Sequence, residues 1–149
     1  MLQCTYGGDF TKHFTDNMKA LGLPVPTTLF DSFTSAIANA AIMLETLSTL
    51  GSKATVAELI GATTKLEGLK VAGALVASLY VGAVIGSIGV AATKSLTCGM
   101  TLTDIFDFQS RYNLKFKGSH QFYATYPEIL AAKYRNQSTY WTKAIAKAN

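Results

Sequence analysis

Cys4, Cys98, His13 and His120 are the side chains of this sequence best suited to nucleophilic or metal chemistry. A thiol site needs a cysteine within hydrogen-bond reach of a histidine, and a third group that orients the histidine. Cys98 with His120 and Asp104 is the trio that comes nearest to this, and Cys4 with His120 is a weaker pair. None of the four has the short spacing of a zinc ligand pair, so a two-Cys, two-His site is not expected. The sequence contains no Walker loop, no GxGxxG after a strand, no HExxH and no GxSxG. The plainer reading gives Cys98 a small core site. Asp104 and Asp107, three apart, then serve a helix N-terminus, where acids are favoured. No catalytic residue, metal or cofactor is therefore assigned, and the chain is read as a non-enzyme.

The remaining chemistry concerns lipid. Val71 to Thr93 reads VAGALVASLYVGAVIGSIGVAAT, 23 residues without a charge between Lys70 and Lys94. As one helix it would be about 34 Å long at ~1.5 Å per residue, against a hydrocarbon core of ~30 Å. Thirteen of the 23 residues are Ala, Gly, Ser or Thr, so the drive into lipid is modest. Ala74, Ser78, Gly82 and Gly86 recur every fourth position, with Gly89 following, and form one ridge that a second helix can approach to backbone contact. Two readings fit: the buried central helix of an all-α domain, or a segment that enters a membrane and associates there with copies of itself.

The rest of the composition sharpens that choice. Of 149 residues, 49% are hydrophobic and only 15% charged, against a usual ~25%. Such a chain is not disordered and must hide much of its surface in a core, a partner or a bilayer. The net charge of +4 is uneven: residues 94–149 carry eight Lys or Arg against three acids. This third suits an anionic lipid, a nucleic acid or an acidic protein partner, and no nucleic-acid motif accompanies it. The opening MLQCTYGGDFTKHF lacks the basic start and apolar run of a secretory signal, so export, if any, is expected by another route. Two cysteines are too few for a disulfide framework, though one Cys4–Cys98 bridge stays open.

The elements that must position the apolar stretch are legible as helices. Phe10, Phe14, Met18 and Leu21 share one helical face, closed by Gly22 and followed by Pro24 and Pro26. Thr28-Leu-Phe-Asp31 has the spacing of a capping box, opening a helix with Phe30, Phe33, Ile37, Ala41, Leu44 and Leu47 on one side. Its alanines, Ala36, Ala38, Ala40 and Ala41, suit close packing on the small ridge. Glu45 interrupts it with a charge, read as a solvent-facing edge or, in an assembled pore, as part of a polar path. Thr55-Val-Ala-Glu58 is a second capping box, and its helix is expected to run to about Glu67. Thr101 and Thr103 are N-cap candidates for a helix through Phe108. Alternation over 111–117, then Gly118-Ser119 and an aromatic run to Tyr126, predicts a β-hairpin near 111–126. From Pro127 a last helix carries Lys133, Arg135, Trp141 and Lys143, suited to a lipid surface or a partner. The fold expected is thus mainly α: one domain over 1–149, a helical bundle around a central apolar helix at about 70–94, with one small hairpin.

A lone small-residue ridge in a short chain without a signal peptide resembles the glycine-zipper pore-forming antibacterial effectors of type VI secretion. The resemblance covers residues 68–93 and rests on Ala74, Ser78, Gly82 and Gly86. It implies a toxin whose zipper helix inserts into a target cell membrane, forming pores or dissipating ion gradients. It also implies a carrier protein of the secretion apparatus and a cognate immunity protein as partners, besides membrane lipids and further copies of the chain. A likeness to colicin pore domains is cruder, because those bury two strongly apolar helices, whereas the helix over 33–50 here carries Glu45. The alternative is a soluble all-α binding, immunity or adaptor module whose apolar helix is simply its core.

Overall fold

The computed structural model describes residues 10–26, 28–51, 53–93 and 100–130, together with Tyr140 and Ala144. The described chain is mainly helical: α1 (Phe10–Ala20), α2 (Phe33–Leu50), α3 (Val56–Ala62), a 3₁₀ segment Thr64–Ala72, α4 (Ala77–Thr93), α5 (Leu102–Tyr112), α6 (Ser119–Thr125) and a 3₁₀ turn Pro127–Ile129.

Local signals set most of these boundaries. α1 buries Phe14 and Met18 and ends on Gly22, whose φ of 79° is in the left-handed region. The Gly22 amide donates to Lys19 O at 2.9 Å and the Leu23 amide to Met18 O at 3.0 Å, a Schellman closure that also buries Leu23. α3 opens with the expected capping box. Thr55 Oγ1 accepts from the Glu58 amide at 3.3 Å, and a Glu58 carboxylate oxygen accepts from the Thr55 amide at 3.2 Å. α5 repeats this device with Thr101 and Asp104.

Three boundaries differ from the sequence reading. α2 starts later, because Ser32 rather than Thr28 is its N-cap, accepting from the Ser35 amide at 3.1 Å. The α3 helix stops at Ala62, where extended Thr63 caps the 3₁₀ segment instead. The apolar stretch is not one helix from residue 71. Backbone bonds to residues 54–57 hold 73–76 out of it: Val56 N to Leu75 O at 2.9 Å, Ala57 N to Gly73 O at 3.0 Å and Ala77 N to Ala54 O at 2.8 Å. Thr55 and Val76 form an isolated antiparallel bridge there, and Val76 N donates to Ala144 O at 2.6 Å. Gly73 and β-branched Val76 offer a helix little to set against those bonds.

The β-hairpin near 111–126 is not formed, and no strand occurs among the described residues. Arg111 and Tyr112 end α5, and Asn113 closes it in the left-handed conformation, at φ 57°. Gly118, at φ 81°, is the N-cap of α6 rather than a hairpin turn. The aromatics after it follow a helical period because Phe122, Tyr123 and Tyr126 pack toward α4.

α4 is the axis. Every residue from Tyr80 to Val90 is buried, and α1, α2, α3, α5 and the Pro127–Ile129 turn all border it. A helix apolar on every side is stable in water only when surrounded in this way. The buried side chains of the described elements form one continuous cluster.

Candidate functional site: the small-residue face of α4

The ridge expected from the sequence divides into three parts. Ala74 is not on it: the residue lies in the turn before α4 and is exposed. Ser78 is half-buried in the first turn of α4 and lines an open cavity. Gly82, Gly86 and Gly89 are buried and already engaged by this chain's own side chains.

The fit at the glycines is close. A Cβ on Gly82 would lie 2.3 Å from the ring of Phe122. One on Gly86 would lie 2.4 Å from Ile129 Cγ2 and 3.2 Å from Tyr123 Cε1. One on Gly89 would meet Ile105 Cδ1 and Met100 Sδ, each at 3.1 Å. The missing side chains thus admit α5, α6 and the turn that follows α6. The covering side chains support one another: Phe122 stands edge-on to Phe116 at 5.6 Å and to Tyr123 at 5.0 Å, and Tyr126 lies edge-on to Tyr140 at 5.4 Å.

Polar contacts fasten this sheath. Tyr123 Oη donates to Gly82 O at 2.7 Å, Tyr140 Oη donates to Leu79 O, and Tyr80 Oη donates from α4 to Pro24 O at 2.9 Å. Fully buried Asn17 of α1 donates from Nδ2 to Ser87 Oγ at 2.7 Å and to Ile129 O at 3.1 Å. One amide therefore ties α1, α4 and the last 3₁₀ turn together. Burial pushes the Tyr123 and Tyr140 hydroxyls well above the ordinary phenol range, so both remain donors.

α2 meets α4 through Ala36, Ala40 and Met43, while Phe33, Ile37, Leu44 and Leu47 stay half-buried and Glu45 is exposed. Among the described residues α2 is the helix long and apolar enough to cross a membrane by length and composition alone, and 17% of it is buried. α4 falls short of that length once its first turn begins at Ala77.

The side chains considered for catalysis have local roles. Asp104 is spent on the α5 capping box, and Asp107 pairs with Arg111 at 3.3 Å on the surface. The exposed His120 ring lies flat on Phe106, with centroids 3.7 Å apart. No cluster of three or more His, Cys, Asp or Glu suited to a metal occurs among the described residues. Cys4, Cys98, Lys133, Arg135, Trp141 and Lys143 lie outside the described residues.

Phe122, Tyr123 and Asn17, which hold the site together, were not singled out by sequence reasoning. The dense aromatics of 120–126 were the available signal for the first two; Asn17 gave none beyond lying next to Met18 on a helix.

Comparison with protein-family models, with curated proteins and with solved structures gives no match.

Proposed function

We propose that this chain is a membrane-active toxin that keeps α4 covered in water and releases it, with α2 beside it, into an anionic membrane. The observation that carries the reading is the pairing of these two helices. α4 has no charge and is hidden from Tyr80 to Val90, whereas α2 is of spanning length, carries one charge and is largely unburied. In lipid the uncharged turn 73–76 would join α4, restoring a helix of about 31 Å from residue 73 at ~1.5 Å per residue. Gly82, Gly86 and Gly89, freed of Phe122, Ile129 and Met100, would then accept a neighbouring helix at backbone distance.

The hydrogen bonds from Tyr123, Tyr140 and Asn17 contribute roughly 0.5–1.5 kcal/mol each. An anionic surface offers about 1 kcal/mol for each nearby basic residue, and residues 94–149 carry eight. On this reading the partners are the lipids of a target cell membrane and further copies of the chain. The antibacterial effector likeness adds a secretion-apparatus carrier and a cognate immunity protein to these proposed partners.

A second reading, a soluble helical binding, immunity or adaptor module, is favoured by the fit of Gly82 and Gly86 to Phe122 and Ile129. Glycines so placed serve a permanent core equally well. Dye release from vesicles separates the two. The toxin reading expects release from anionic vesicles, none from neutral ones, and faster release by Asn17→Ala. A binding module leaves both vesicle types intact, and Asn17→Ala then lowers only its melting temperature. Glycine substitutions serve poorly here, since a side chain at Gly82 or Gly86 disturbs the water-soluble fold directly.

A further inference from the structure

The cavity at Ser78 has a volume of about 370 Å³, within the range of small-ligand sites. Leu44 and Leu47 of α2 form one wall, Val81 and Gly82 the floor, and Phe122 and Tyr126 of α6 and its C-cap the other wall. Those six positions are apolar apart from one phenol. Among the described residues that line the cavity, Lys117, exposed just before the α6 cap, is the charged one, and no acid is among them.

We propose that this groove binds a free single-chain amphiphile with a carboxylate head, its alkyl chain along α4 and its head at Lys117. Size favours a single chain, because the cavity is of small-ligand volume and open to solvent. Charge sets the head group, because an ammonium beside an apolar trough complements an anion and repels a cation. The floor sets the shape. Phe122 already covers the α4 backbone at Gly82, so the room along α4 lies beside the short Ser78 side chain and admits a narrow, flexible chain ahead of a branched or bulky one. Unlike pore formation, this binding needs no bilayer and no unfolding of the sheath, so it can hold where vesicle permeabilisation fails, and fail where it holds.

The test is calorimetric titration of the folded protein with octanoate, decanoate and dodecanoate, each below its aggregation concentration, with methyl NMR shifts to locate the site. The dissociation constant is expected to fall with each added methylene by up to about fourfold, the factor for full burial of one CH₂. The half-open groove puts the expected factor at about two to three. Shifts should be confined to Leu44, Leu47 and Val81. Lys117→Glu, a surface change that leaves the melting temperature alone, should weaken dodecanoate about two- to fivefold. Leu44→Trp, which puts an indole into the groove, should abolish saturable binding. Four results would each overturn the proposal: no saturable binding, no dependence on chain length, dodecyltrimethylammonium binding as tightly as dodecanoate, or Leu44→Trp binding like wild type.

Discussion

The three glycines of α4 make a graded perturbation, because an alanine meets a different neighbour at each. In every case the helix gains about 1 kcal/mol of propensity from Gly→Ala, and overpacking costs about 1–3 kcal/mol, depending on whether the neighbour can yield. At Gly86 it cannot. Ile129 Cγ2, 2.4 Å from the new Cβ, is one bond from the Ile129 Cβ, the side chain is fully buried, and Tyr123 stands 3.2 Å away with its hydroxyl already bonded. At Gly82 the clash at 2.3 Å is nominally worse, but it is with the tip of the half-exposed Phe122 ring, which can swing toward solvent. At Gly89 the neighbours, at 3.1 Å, are the ends of Ile105 and Met100. Gly86→Ala should therefore cost about 2 kcal/mol net, or a melting temperature about 4–8 °C lower for a chain of this size. Gly82→Ala should fall within about 1 kcal/mol of wild type, and Gly89→Ala should be neutral or slightly stabilising. Thermal unfolding followed by circular dichroism reads all three. Equal effects, or Gly86→Ala as the mildest, would refute the fitted sheath.

Two further outcomes follow from the polar fastenings. Asn17→Ala leaves Ser87 Oγ and Ile129 O without the Nδ2 donor in a dry setting, and should cost about 2–4 kcal/mol in urea unfolding, more than an average surface change. Alkaline pH should destabilise the fold. Tyr123 and Tyr140 have folded pKa values raised by burial, so their contribution is intact below the unfolded value of ~10 and is lost as pH rises beyond it. Each should remove about 1.4 kcal/mol per pH unit above 10. Tyr123→Phe should flatten that slope in a pH series of unfolding curves.

Much of the helical architecture could be read from local chemistry. Thr55 with Glu58, Thr101 as an N-cap, and Gly22 after the Phe14–Met18 face are all short-range signals, and the termini they mark lie where expected, although α3 stops at Ala62 rather than near Glu67 and α5 runs past Phe108 to Tyr112. Long-range bonds explain the misses. Nothing near Leu75 announces that its carbonyl will take the Val56 amide, so the apolar stretch looked continuous and Ala74 looked like part of its ridge. The alternation of Tyr112, Leu114 and Phe116 imitated a strand, although these residues are a helix end, a buried anchor and a half-buried ring. The small residues of α4 were visible from spacing alone. Which surface they meet was not, because the same pattern suits Phe122 of this chain or a helix from another.

The most direct measurement places a bimane label at Leu79→Cys, half-buried in the first turn of α4, with Cys4 and Cys98 replaced by serine. Vesicles whose lipids carry bromine at mid-chain quench a label that reaches the bilayer interior. Release of α4 predicts strong quenching with anionic vesicles, none with neutral ones, and quenching that rises together with dye release. An unquenched label on protein bound to anionic vesicles, or dye release without quenching, would contradict it.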